Sequence, residues 1–244
     1  MTEGLPTPTE SGTLTEPGTP TESGSPTEPS SLPARRAQFL ATEHWSLLAT
    51  RSMSWNESFA RTGMFLTSLS TATVALALVG SATQFGPEFV VFALLVLSVT
   101  LFLGVATFVR LVQVNNEDVY WVAGMNRLRG LYARLEPGIE EEFVAGISLD
   151  TAGFAQSYAA FDVTSAPTTL HMFVTTPGVV GILCSVLTAV IAGLLALQLA
   201  PMAPAIGVGL VAMALSVALC VAYQARDSKA YLARMIRFIG DRDD

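Results

Sequence analysis

Charge is what this sequence has least of. Only 14% of its 244 residues are charged, against 51% hydrophobic, whereas a soluble domain carries about 25%. The shortage is concentrated: residues 63–86, 89–109 and 172–225 contain no charged side chain. A helix that crosses a bilayer needs roughly 20 apolar residues at about 1.5 Å each. The first two stretches hold one span apiece. The third is too long for one helix and is interrupted by Pro201 and Pro204, so it holds two. Four such segments together exclude a soluble fold with buried core helices.

Basic residues are absent from two further places, the turns at about 81–88 and 198–204. Arg35, Arg36, Arg51 and Arg61 precede the first span, Arg110, Arg127, Arg129 and Arg134 follow the second, and Arg226, Lys229, Arg234, Arg237 and Arg242 follow the fourth. Short loops rich in Lys and Arg stay inside the cell. Both termini and the central segment are therefore expected in the cytoplasm of a multi-pass plasma-membrane protein. The first 32 residues lack an apolar core and a basic start, so no cleavable signal peptide is expected.

The spans also lack any ionisable residue, which in hydrocarbon usually marks an ion or proton path. That argues against a proton-coupled antiporter, a voltage sensor and a carrier with an acidic coupling site. Metal chemistry has little to work with. His44 and His171 have no Cys, His or carboxylate at ligand spacing, and Cys184 and Cys220 read as small buried residues on a reducing side. No phosphate-binding glycine loop, nucleophile elbow or zinc motif occurs, so neither a cofactor nor a metal is expected. The arginines form no dense patch of the kind that binds nucleic acid.

The fold class that follows is all-α: a polytopic membrane protein with four transmembrane helices as two hairpins, plus cytoplasmic amphipathic helices. Residues 1–33 form a tail in which Thr-Glu recurs every six residues from Thr9 to Glu28; such a composition is expected to be disordered. Residues 34–62 form an amphipathic helix with Trp45, Leu48, Ser52, Trp55 and Phe59 on one face. It either runs on into the first span or bends at Gly63 to lie on the surface. Residues 63–112 are the first hairpin, with spans at about 63–84 and 88–110. Residues 113–171 are a helix and connector, with Trp121, Met125, Leu128, Tyr132 and Leu135 on one face and a stop at Pro137-Gly138. The two amphipathic helices are expected to cover each other. A short helix is expected near 151–161. Residues 172–225 are the second hairpin, with spans at about 177–199 and 204–224, and residues 226–244 end the chain inside.

Two sets of residues single themselves out in the spans. Gly181, Ser185, Ala189 and Gly193 make an every-fourth ridge of small residues, and Ala214, Ala218 and Ala222 make another; Ala212, Ser216 and Cys220 are a separate option on the fourth span. Small faces let helix backbones approach closely in lipid, so the third and fourth helices are expected to pack together, within one chain or between copies. Thr67, Ser70 and Thr71 concentrate hydroxyls in the first span and could line a pore, although such hydroxyls more often bond within their own helix. A shift of 118 residues aligns Gly63 with Gly181, Leu69 with Leu187 and Leu97-Ser98-Val99 with Leu215-Ser216-Val217, a pattern that would make the hairpins a duplicated unit.

Three segments carry a resemblance: Met125-Asn126-Arg127-Leu128-Arg129, the run from Glu136-Pro137-Gly138 to Phe143, and Phe173-Val174-Thr175-Thr176-Pro177-Gly178. They look like elements of uncharacterised four-span integral membrane proteins of actinobacteria, over about residues 38–237. Twelve arginines against one lysine suit a high-GC genome of that kind. The resemblance implies no activity and carries no functional residue over. The expected function is a non-enzymatic oligomeric scaffold or interaction protein, with the lipid bilayer, further copies of itself and a cytoplasmic protein as partners. A channel or pore-forming effector is the alternative. A membrane enzyme acting on lipid would have only His171, Glu88 and Glu117 to use.

Overall fold

A computed structural model describes residues 32–158 and 175–240, and side chains as far as Tyr231. The expected disorder of the tail, His171 and most of the connector's second half lie outside the described residues. Where it is described, the chain is helical apart from short connections, and four of its helices are long and apolar enough to cross a membrane.

Helix α1, Leu32–Thr83, is continuous through Gly63, so the amphipathic segment is the outward extension of the first span. With 52 residues it is about 78 Å long. Its covered face keeps alternating three- and four-residue steps from end to end: His44, Leu47, Arg51, Ser54 and Ser58 outside the span, then Phe65, Leu69, Ala72 and Leu76 within it. A repeat of seven keeps one seam against a partner helix. That partner is α2, Pro87–Leu135. The link between them is short. Gln84 and Phe85 both adopt positive φ, and the Phe85 N–H donates to the Gly80 carbonyl at 3.0 Å, closing the helix end. Pro87 then starts α2, where its missing N–H costs nothing.

The α1 face differs from the expected one by a single residue. Trp45 and Phe59 are 71% and 57% exposed, because the seam runs through their neighbours His44 and Ser58. One residue is about 100° around a helix. The α2 face is as expected: Met125 and Leu128 are buried, and Trp121, Tyr132 and Leu135 are half-buried. Leu47 sits over Gly124, and His44 stacks on Tyr132 with ring centres 6.2 Å apart.

Beyond α2, Pro137 and Gly138 (φ +100°) lead into one 3₁₀ turn, Ile139–Glu142. Helix α3, Thr151–Ser157, is capped by Asp150, whose carboxylate accepts from the Gly153 N–H at 2.8 Å. Helix α4, Thr176–Leu197, starts as its sequence indicates: Thr175 caps it by accepting from the Gly178 N–H at 3.3 Å, and Pro177 lies in the first turn. Helix α5, Met202–Gly240, runs from the second turn out past the membrane.

Helix α2 is the hub. It packs against α1, α3, α4 and α5, while α4 and α5 pack closely on each other. The apolar core lies where the spans converge, around Phe65, Leu97, Phe108, Val180, Cys184 and Leu187. Gly104 marks the tightest point. A methyl group there would lie 2.7 Å from both Cys184 Sγ and the Phe65 ring, so only hydrogen fits between the three helices.

Candidate functional site

The polar side chains that the membrane spans lack are gathered just outside them, on the arginine-rich side. Three consecutive residues of α2, Asn116, Glu117 and Asp118, each bond a partner on another turn or helix. Asp118 is 6% exposed. A carboxylate so deeply buried must be paired, and its partners come from two other segments. Arg51 of α1 donates from Nε at 2.6 Å and from a terminal nitrogen at 3.0 Å, Trp55 donates from Nε1 at 2.8 Å, and the Tyr158 hydroxyl donates at 3.0 Å. Four donors fill the roughly four lone-pair sites of a carboxylate. Asp118 is therefore committed to holding α1 and the end of α3 on α2, with no site left for a substrate.

The titration behaviour of the partners follows from this burial. Arg51 is held above its ordinary pKa, chiefly by its hydrogen bond to Asp118. Tyr158 is pushed up by burial and then by the nearby Asp118 charge, so it stays a donor. His44 is pushed below its ordinary value by burial and by the Arg129 charge. Glu57 is held low by its bonds to Arg110 and Arg61.

Two more buried polar groups on α2 do similar work. Asn116, 4% exposed, donates to Asp227 at 2.7 Å and accepts from Ser228 at 3.1 Å, tying α5 to α2. Asn126 is fully buried. It donates to the carbonyls of Ser148 and Gly153 at 3.2 and 3.3 Å, and its oxygen accepts from Ser157 at 2.7 Å and Arg129 at 2.9 Å. That pins the connector and α3. Nearer the membrane, Arg110 bridges Glu117 at 3.0 Å and Glu57 at 3.2 Å, and Glu57 also accepts from Arg61 at 2.8 Å.

Asn116 and Asp118 were not singled out from sequence, and Arg51 and Asn126 entered only through orientation and resemblance, not as site residues. One signal for Asp118 was present: it lies seven residues after Leu111 and seven before Met125, on the buried face of α2.

The singled-out residues divide between the hairpins. The α4 ridge is covered by α5. The Ser185 hydroxyl donates to the Gly181 carbonyl at 2.8 Å and is hydrogen-bonded to the Ser216 hydroxyl at 3.0 Å, where its single proton leaves it the acceptor. A methyl on Gly209 would come within 3.0 Å of the Ala189 carbonyl oxygen, and one on Gly193 within 3.8 Å of the Ala205 oxygen. The face that meets the ridge is thus Ala205, Gly209, Ser216 and Cys220. Ala214, Ala218 and Ala222 point away from α4 and are exposed, so within the chain they do no packing. Cys184 and Cys220 are both free thiols.

Thr67, Ser70 and Thr71 are exposed on the outside of α1. The Thr71 hydroxyl donates to the Thr67 carbonyl at 2.9 Å, and Thr67 and Thr71 line a hollow that does not include Ser70. Glu88 and Glu117 lie 29 residues apart on α2, about 44 Å, at opposite ends of a span. Among the described residues no three His, Cys, Asp or Glu side chains come together as a metal site. Comparison of the chain with protein-family models, curated proteins and solved structures finds no match.

Proposed function

We propose that the chain is a non-enzymatic membrane scaffold that works as an oligomer, set in the plasma membrane with its helical layer and both termini in the cytoplasm. The observation that carries this reading is how the buried polar groups are used. Asn116 bonds α5 to α2, Asp118 bonds α1, and Asp118 and Asn126 together hold α3 and the connector, and such saturated networks rigidify and specify a structure. The layer they fix holds the α1 extension as a rigid arm whose outer flank carries Trp45, Met53 and Phe59, all well exposed. Exposed aromatic and Met side chains on a fixed helix suit contact with a protein partner.

Crosslinking of the full chain in native membranes, followed by gentle solubilisation, tests the oligomer: discrete multimers are expected, and a chain that stays monomeric removes this reading. Orientation is tested separately. Reporter fusions at Phe85 and Ala200 should read outside, and fusions at Ala145 and Asp244 inside.

A further inference from the structure

Among the described residues of the spans, a groove runs between α1 and α2. Two adjoining hollows, of about 640 and about 530 Å³, share Thr67, Ser68 and Leu103. Together they run along α1 from Arg61 to Ala75. Fourteen residues of helix cover about 21 Å, so the groove reaches from the membrane boundary beyond the roughly 15 Å depth of one leaflet. Three of its five hydroxyls are occupied: Thr71, Thr100 and Thr107 donate to carbonyls of their own helices at 2.9, 2.8 and 2.8 Å, which leaves only Thr67 and Ser68 as polar points on its α1 wall. The opposite wall is Leu95, Val96, Val99 and Leu103. A surface of this kind accepts hydrocarbon.

The end of the groove is different. Arg61 is the last charged residue before the first span, and its side chain is 47% exposed. Its Nε donates to Glu57 at 2.8 Å. Glu57 takes only that edge, and the two terminal nitrogens have no protein acceptor among the described residues. A guanidinium held by one edge, with its fork of donors turned to an interface, is complementary to a phosphate.

We propose that this groove binds one anionic phospholipid from the leaflet on the arginine-rich side. An acyl chain lies along Thr67 and Thr71, and the phosphate accepts from the terminal nitrogens of Arg61. A span from a second copy is the competing occupant. A second copy's α1, α2 or α5 would bring its own Arg61, Arg110 or Arg226 to the same boundary, a like charge beside Arg61, whereas a lipid brings a phosphate alone, so the charge at the groove's end favours the lipid. The site stands apart from the scaffold reading and holds for a monomer as well as an oligomer.

The test uses the full chain in detergent micelles doped with equal amounts of phosphatidylglycerol and phosphatidylcholine, with bound lipid counted by native mass spectrometry. One phosphatidylglycerol per chain is expected, preferred about fivefold or more over phosphatidylcholine. Arg61→Gln should abolish the preference, and Arg61→Lys should keep part of it. Arg127→Gln, an exposed arginine away from the groove, should change nothing. Filling the groove with Thr67→Leu and Thr71→Leu together should displace both lipids. Folding of each variant is checked by whether the buried thiol of Cys184 stays protected from labelling. Equal retention of the two lipids by the unaltered chain overturns the proposal, as does an unchanged preference in Arg61→Gln. Efficient crosslinking between copies through Thr71→Cys in phosphatidylglycerol vesicles would overturn it too, by placing a second chain in the groove.

Discussion

The two hairpins solve the same problem with different means. In α4 and α5 the backbones close on each other inside the membrane: Gly209 reaches the Ala189 carbonyl, and Ser185 bonds Ser216 across the seam. In α1 and α2 the spans leave a groove, and the strongest links lie outside the membrane, where Asp118 gathers Arg51 and Trp55. The shift of 118 residues aligns Gly63, Thr67, Thr71 and Ala75 with Gly181, Ser185, Ala189 and Gly193. The second set is covered, whereas Gly63, Thr67 and Thr71 are exposed. Small residues at four-residue spacing permit close packing without choosing which neighbour uses it. In hairpin 1 the choice is made by the polar layer, which turns the seam of α1 to the His44–Ser58 face.

The largest way to break this contrast is Asp118→Leu. It removes the acceptor of four hydrogen bonds and leaves Arg51 partly buried and unpaired. Breaking a buried pair costs 3–5 kcal/mol; about 3 kcal/mol is expected, since Arg51 keeps a third of its side chain exposed. The molecule carries its own reporters. All three tryptophans, Trp45, Trp55 and Trp121, lie in the layer outside the spans, while buried Cys184 lies among the spans. Denaturant titration in detergent should show the tryptophan transition moved to lower concentration, with the Cys184 thiol still protected. Simultaneous exposure of Cys184 would mean that hairpin 2 depends on the layer, and the contrast would fail.

Next in size is Gly209→Leu. Its side chain would meet the α4 backbone, which cannot move aside as a flexible side chain can. Overpacking of this kind costs about 1–3 kcal/mol. The contrasting change in hairpin 1 is Gly63→Leu, where nothing lies within 4 Å of an added methyl. That change should leave stability within about 0.5 kcal/mol, or raise it slightly through helix propensity. Thiol labelling of Cys184 and Cys220 against denaturant separates the two outcomes.

Why parts of this were legible in the sequence and others were not comes down to what hydrophobicity can report. The spans announce themselves because lipid excludes charge over some 20 residues, and the start of α4 because Pro177 suits a first turn. The small ridge of α4 was equally plain. Its partner face was not, since Ala214–Ala218–Ala222 and Ala212–Ser216–Cys220 have the same spacing. The hydrogen bond between Ser185 and Ser216 is specific to the second. The α1 seam was misplaced by one residue for a related reason. Aromatic residues draw a search for apolar faces to Trp45 and Phe59, whereas the true seam includes His44, Arg51, Ser54 and Ser58, which are polar and become buriable only through partners on α2. Asp118 was invisible as a site because its role depends on residues 63 and 67 positions away.

A smaller effect sharpens the comparison within the membrane. Ser185→Ala removes one hydroxyl bond between helices, worth about 0.6 kcal/mol on average in such bundles. Thr71→Val removes a bond within one helix and keeps the shape of the side chain, so its cost should fall near zero. A double-mutant cycle of Ser185→Ala with Ser216→Ala should return most of the 185 effect as coupling. Independent effects would show that the two hydroxyls do not meet.

The smallest expected effect is a response to mild acid, and it too should divide the hairpins. The spans of hairpin 2 contain no charged side chain, so its packing should not respond. In the layer outside, His44 stacks on Tyr132 and is held below its ordinary value of 6.5 by burial and by Arg129. A base whose pKa is lowered on folding takes up its proton first in the unfolded state. Stability of the layer is therefore full above about pH 6.5, declines as the pH falls through that value, and stops declining once the folded His44 is protonated as well. Glu57, held low by Arg110 and Arg61, adds a second loss of the same sign below its ordinary 4.5. The tryptophan transition should shift to lower denaturant between pH 7 and pH 5.5, and His44→Gln should flatten that shift. A shift that persists in His44→Gln would place the sensing group elsewhere, and an equal shift in Cys184 protection would show that acid reaches hairpin 2 through α2.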